Sequence, residues 1–234
     1  MRDARLPSYA LTPREEPLAR LQEIPMSRHP HPPYTVRPAG PADVEGARQV
    51  MLDTFYRDFG YGFVPAWHRD VIEIEKTYLN DPRHLLLVAL HGDQVVATTG
   101  VRSEGPAHPP HPRRLAERYP SGTTAQLVRV YVRPEHRRHG LARTLVDRAC
   151  AFVAETPGYD SIYLHTNVDV EGAEAFWRGL AKEVFDARAT GEHGPGVGTV
   201  HFEIPLPQCR RLRRATAIPE NPHHEGKQAP WHKP

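Results

Sequence analysis

Cysteine is nearly missing from this chain of 234 residues: only Cys150 and Cys209 occur. Cys150 falls within an amphipathic helical pattern and Cys209 in a basic tail. A disulfide framework is therefore not expected, and a reducing, cytoplasmic setting is the simpler reading. No apolar run approaches the roughly twenty residues that span a bilayer, and the first residues lack a signal-peptide core, so no membrane partner is expected. An excess of one charge is also absent. Against 28 Asp and Glu stand 30 Lys and Arg, a net charge of +2, which gives no general electrostatic case for nucleic acid. Neither GxxxxGK[ST] nor GxGxxG occurs, which excludes the P-loop and the dinucleotide fingerprint as phosphate signatures.

Proline, by contrast, is abundant, with 25 residues, and it crowds the ends. Residues 1–33 mix proline, arginine and glutamate without a sustained period and are expected to be disordered, since they bury too little to offset ordering entropy. Met26 stands just before the first strand and is an alternative start of translation. Residues 207–234 carry six Lys or Arg against two Glu, led by Arg210-Arg211-Leu212-Arg213-Arg214. This segment is expected to be a disordered, solvated basic tail.

The densest information lies in Gln126 to Val146, QLVRVYVRPEHRRHGLARTLV. Val128, Val130 and Val132 alternate with Leu127, Arg129 and Tyr131 as in a strand, and Pro134 ends the run. Leu141, Leu145, Ala149, Phe152 and Val153 then follow at helical spacing. Between the two sits Arg137-Arg138-His139-Gly140. A glycine before a helix lets backbone approach a ligand closely, and the free N–H groups and dipole of the first turn attract phosphate. Arginines beside them add charge-assisted hydrogen bonds. The local physics specifies an anion site.

This strand, turn and helix, with RxxGxA at Arg137, Gly140 and Ala142, resembles the pyrophosphate-binding motif of the GNAT N-acetyltransferases. A second segment, Ala173-Glu174-Ala175-Phe176-Trp177, is similar to that family's AxxFY. The order of elements agrees. A strand at Tyr34–Arg37 precedes helices at Pro41–Tyr56 and around Trp67, Val71, Ile74 and Tyr78. A hairpin follows, His84–Leu90 and Gln94–Val101, then the motif strand and helix. Strand Ser161–Thr166, helix Glu171–Ala181 and strands Val184–Ala187 and Thr199–Leu206 complete the chain. The resemblance thus spans residues 34–206 and implies an α/β fold, a mixed and mostly antiparallel sheet with helices on both faces.

What the resemblance implies chemically is acetyl transfer from acetyl-CoA to a primary amine of a small molecule or a protein. Backbone around Val130, Tyr131 and Val132 would hold the pantetheine arm and polarise the thioester carbonyl. Arg137, Arg138, Gly140, Leu141, Ala142 and Arg143 would surround the diphosphate, with His139 a neutral member of the same loop. Homodimers occur in such folds, and one is possible here.

The acid–base residues depart from the family pattern. Gln126 replaces a frequent glutamate and cannot act as a base. Trp177 replaces a tyrosine acid, and Val170 stands where asparagine is common. His165 and Tyr163, sharing one face of their strand, are the substitute candidates. Histidine titrates near neutral pH, and Tyr131 is a further proton donor. Asp70, Glu73 and Glu75 are additional carboxylates in the region that borders the acceptor pocket. An acyl-CoA-binding module that has lost turnover is the alternative reading. The long loop 102–123 is read as a mobile insertion or lid with a helical piece near Arg113–Tyr119. Prolines between its histidines argue against a metal site.

Overall fold

The computed structural model describes residues 34–190 and 198–206. The two expected tails, Met26, the Arg210 to Arg214 run and Cys209 lie outside the described residues. Seven strands form one sheet: β1 (Thr35–Pro38), β2 (Leu85–His91), β3 (Gln94–Arg102), β4 (Thr124–Val132), β5 (Ser161–Asn167), β6 (Lys182–Asp186) and β7 (Thr199–Ile204). Their order is β1-β2-β3-β4-β5-β7-β6. Every neighbouring pair is antiparallel except β4 with β5, which is parallel.

Both faces are covered, which explains why β2 reads as a continuous apolar run. Helices α4 (Leu141–Glu155) and α5 (Ala173–Arg178) cover one face. There Leu145, Ala149 and Val153 pack with Ile162, Leu164, Phe202 and Trp177. Helices α1 (Val44–Asp53) and α2 (Arg69–Ile72) cover the other, where Ala47, Met51, Phe55 and Ile74 meet Leu86 and Val88. Cys150 is buried in α4. No helix among the described residues is long and apolar enough to cross a membrane.

The helices differ from their expected bounds. The first opens with a 3-10 turn at Pro41–Asp43 and closes with a π turn at Thr54–Asp58. The second is broken, with four residues of α-helix and then a π turn at Glu75–Leu79. Val71, Ile74 and Tyr78 are buried as their spacing requires, but Trp67 is 50% exposed because α2 starts only at Arg69. Helix α5 begins at Ala173, after Gly172 in a left-handed conformation (φ 78°). Within the long loop, α3 (Arg113–Arg118) forms where a helical piece was expected. It is packed: Leu115 and Tyr119 are buried against Tyr163.

Candidate active site

Strands β4 and β5 pair only through Thr124, Ala125 and Gln126 with Ser161, Ile162 and Tyr163. Beyond Gln126, β4 has no strand partner on that side among the described residues, so the sheet splits there. At the split β4 bulges. Thr98 pairs with Tyr131 and Gly100 with Val128, leaving Arg129 and Val130 opposite the single residue Thr99. Arg129 has φ 56°, a left-handed backbone that one class of bulge uses. The bulge resets the alternation expected from the sequence. Val128 joins the cluster under α1, while Val130 and Val132 pack on the opposite side with α4.

The displaced Arg129 side chain forms a buried ion pair. Its Nε and Nη2 donate to Asp70 at 2.9 and 2.6 Å, and Nη2 also donates to the Trp67 carbonyl at 2.8 Å. Tyr78 donates its hydroxyl proton to the same carboxylate at 2.6 Å. Burial pushes the Asp70 carboxyl up, but the Arg129 guanidinium outweighs it and holds the group below the usual carboxylate range. Asp70 is therefore a committed ion-pair partner. Glu73, bonded to Arg69 and Lys76, sits on a solvated face, and Glu75 is exposed. Burial raises the Tyr131 hydroxyl, which keeps it protonated near neutral pH.

The loop expected to bind an anion follows directly. Arg138 (φ 66°) and Gly140 (φ 75°) are both left-handed. No side chain caps α4, and the space where a Gly140 Cβ would stand is empty to 4 Å. The amides of Leu141, Ala142 and Arg143 thus open a fifteen-residue helix without a side-chain acceptor. Arg138 and His139 are exposed. Arg137 turns back, its Nε donating to the Val132 carbonyl at 3.0 Å and its Nη2 pairing with Asp58. It braces the loop against β4 and the end of the first helix. Arg143 pairs with Asp147 one turn on.

Beside the split lie the three candidate catalytic positions. Gln126 is buried, 3.4 Å from Arg102 Nη2. Tyr163 is fully buried and its hydroxyl is 2.6 Å from His201 Nδ1 and 3.5 Å from His165 Nδ1. His165, half-buried, lies two residues past the last β4–β5 pair. Sequence reasoning missed His201 and His111. His201 sits opposite His165 in the β5–β7 register. The His111 ring is 4.9 Å from that of His165 and 5.2 Å from that of His201. His201 gave a signal in retrospect, a polar residue in the TVHFEI strand, whereas His111 arrives from the insertion and gave none. Trp177 is core, packed with Phe176 at 4.9 Å.

A family model described as the acetyltransferase (GNAT) family matches residues 48–181. N-acetyltransferase 8 of Rattus norvegicus is 31% identical over 148 residues, which cover 60% of this chain and 59% of that protein. N-acetyltransferase 8B of the same species is 31% identical over 130 residues, 56% and 51% of the two chains. The chain thus spans little more than half the length of these relatives. Among solved structures, a GNAT-family acetyltransferase of Staphylococcus aureus Mu50 superposes with a TM-score of 0.57 at 17% identity, covering 74% of this chain and 99% of that one. Arabidopsis thaliana NAA60 in complex with acetyl-CoA gives 0.53 at 16% identity, covering 73% and 97%. These two show a shared fold. With a split sheet, a bulged β4 and an uncapped helix after it, matched over more than half its length, this chain belongs to the GNAT acetyltransferase family.

Proposed function

We propose that the protein is an N-acetyltransferase that moves an acetyl group from acetyl-CoA to a primary amine of a small molecule or protein. The observation that carries this reading is one continuous stretch, Thr124 to Arg143. It presents first a strand edge with no strand partner among the described residues and then a helix N-terminus with no side-chain cap and a left-handed glycine. These features fit a long thioester ending in a diphosphate, with backbone donors for both parts. When bound, acetyl-CoA supplies the activated acetyl group.

The residues then have distinct tasks. Amides of Leu141, Ala142 and Arg143, with Arg138 beside them, hold phosphate. The open edge at Val130, Tyr131 and Val132 orients the arm and donates to the carbonyl oxygen, a kind of contact worth about 3–4 kcal/mol of barrier. Alignment of amine and thioester supplies up to about 7–11 kcal/mol more. Gln126 carries no base and serves as a polar floor. His165, beside the split, takes a proton from the incoming ammonium and passes it to solvent. After attack the nitrogen sheds a second proton, which neutralises the departing thiolate. The cytoplasmic setting rests on the scarcity of cysteine.

One pair of observations favours a binding module without turnover: Gln126 cannot accept a proton, and Trp177 is built into the core. Two measurements separate the readings. Acetyl-CoA at about 100 times its dissociation constant adds roughly 2.7 kcal/mol of stability, a rise in Tm on the order of 5–10 °C. Amine-dependent release of free thiol, screened over small amines and peptide N-termini, is expected of the enzyme. A thermal shift with no release from any amine supports the binding module, and no shift at millimolar cofactor removes both.

A further inference from the structure

We propose that His91, His136 and His139, gathered around the ring of Tyr34, form a proton-linked regulator of the neighbouring loop Arg137 to Gly140. Binding of a diphosphate there draws a proton onto the cluster, so the ligand is held more tightly as pH falls through the histidine range. The proposal rests on the acetyl-transfer reading for the place of the diphosphate and adds a pH dependence to it.

The four rings come from separate parts of the chain. Tyr34 precedes β1, His91 ends β2, His136 ends the 3-10 turn Pro134–His136, and His139 stands next to Gly140. The His91 and His136 ring centroids are 5.1 Å apart. That of Tyr34 lies 5.4 Å from His91, 5.7 Å from His136 and 5.5 Å from His139. The Tyr34 hydroxyl is 3.0 Å from His136 Nδ1, and His139 Nδ1 is 3.3 Å from the His136 carbonyl. Histidine is the side chain whose charge changes between about pH 5 and 8. Three of them around one phenol ring give this side of the loop a place to hold a proton near neutral pH. Two imidazolium rings 5.1 Å apart repel each other, so the first proton opposes a second and the cluster titrates as a unit.

Charge around His136 decides the sign. Burial is the largest influence and lowers its pKa; Glu135 raises it, and His91, His139 and Arg133 lower it. The loop adds two further cations, Arg137 and Arg138, and Arg148 of α4 reaches β1 at the Val36 carbonyl. Asp53 and Asp58 are the carboxylates that pair with Arg133 and Arg137. Without a bound anion, the arginines and neighbouring rings therefore discourage a proton on His136. A diphosphate brings negative charge to the same loop and favours the charged ring. His139 is the link, next to Gly140 in the chain and beside Tyr34 in space. Its exposure keeps the coupling small and sensitive to salt. By reciprocity, a protonated cluster favours the diphosphate by the same factor. Affinity is then highest on the acid side and falls as pH rises through the titration of the cluster.

The test is isothermal titration calorimetry of the full-length protein with acetyl-dephospho-CoA, in buffers of different ionisation enthalpy from pH 6 to pH 8.5. Leaving out the 3′-phosphate removes the group of the cofactor that itself titrates at about pH 6. Affinity is expected to rise about fivefold from pH 8.5 to pH 6, the low end of couplings between sites. Linkage makes that an average uptake of about 0.3 proton per ligand bound. His136→Gln is expected to flatten the profile in part and His91→Gln/His136→Gln further, while affinity at pH 8.5 stays close to wild type. Where a variant does not fold, the wild-type profile decides alone: binding without proton uptake, or with proton release, overturns the proposal. Full uptake in the folded double variant does so too, because the proton then belongs elsewhere. No binding of acetyl-dephospho-CoA or acetyl-CoA at millimolar concentration overturns the acetyl-transfer reading and the proposal with it, so the two failures are told apart.

Discussion

Single residues decide how charge is held beside the bulge of β4. Arg129 spends its charge on Asp70 instead of on a ligand, and both side chains are largely buried. Removing one partner of such a pair leaves an uncompensated buried charge. Asp70→Asn should therefore destabilise the protein by about 3–5 kcal/mol in urea unfolding, and Tyr78→Phe by only about 1–2 kcal/mol. The Asp70 contribution is complete above the unfolded carboxylate value and is lost as pH falls through its depressed folded value. His68 titrates in a different window. It is 1% exposed, stacks on Phe55 at 3.8 Å and accepts the Val64 N–H at 2.9 Å. Burial, then the Arg129 charge, lowers its pKa to about 4. The folded state prefers the neutral ring, so this stability is present above about pH 6.5 and drains as pH falls toward 4, on the order of 2–3 kcal/mol. Thermal unfolding between pH 7 and 4.5 should show that slope, and His68→Phe should flatten it from a lower starting Tm.

At the scale of elements, the loop from Arg137 to Gly140 is where backbone conformation bears on the proposed cofactor site. Gly140 has φ 75° and an open site at its missing Cβ. Valine there is strained without any clash, because a β-branched residue resists the left-handed region. Gly140→Val should abolish the acetyl-CoA thermal shift while costing only about 1–2 kcal/mol of stability without cofactor. Arg137→Ala acts differently, through lost bonds to Val132 and Asp58, and should weaken the shift without abolishing it. The insertion is the second element with a large effect. Leu115 is buried against Tyr163, and Leu115→Ala should cost about 2–5 kcal/mol by opening a cavity beneath α3.

Across the whole molecule, the split between β4 and β5 is the feature on which everything else turns. Two apolar clusters hold the sheet from opposite sides, yet only three residue pairs join β4 to β5. On the proposed reading, a cofactor laid along the open edge would complete the hydrogen bonding of β4. Amide hydrogen exchange should therefore slow at residues 127–132 and in the first turn of α4 when acetyl-CoA is added, with β1 and β2 unchanged. Equal slowing over the whole sheet would point to general stabilisation instead of occupancy of the cleft.

The sequence by itself determined the order of elements, the strand–turn–helix of the anion loop and the positions of Tyr163 and His165. Those are local properties: alternation, helical spacing, a glycine before an apolar stripe, a proline after a strand. It also marked Gln126 and Trp177 as unable to serve as base and acid. Tertiary structure decided the rest. The bulge that sends Val128 and Val130 to opposite sides comes from pairing with β3, which no pattern within β4 contains. The Asp70–Arg129 pair joins residues 59 positions apart, and His201 reaches Tyr163 across 38. Such contacts depend on which strands become neighbours, and β7 inserts between β5 and β6 against chain order. Helical spacing fixed which residues of the first two helices are buried, Trp67 excepted, but not that the second helix breaks, since Val71, Ile74 and Tyr78 face inward from an α or a π turn. The histidines of the insertion are spaced by prolines and carry no period, so only the packing of Leu115 and Tyr119 on Tyr163 brings His111 to the site.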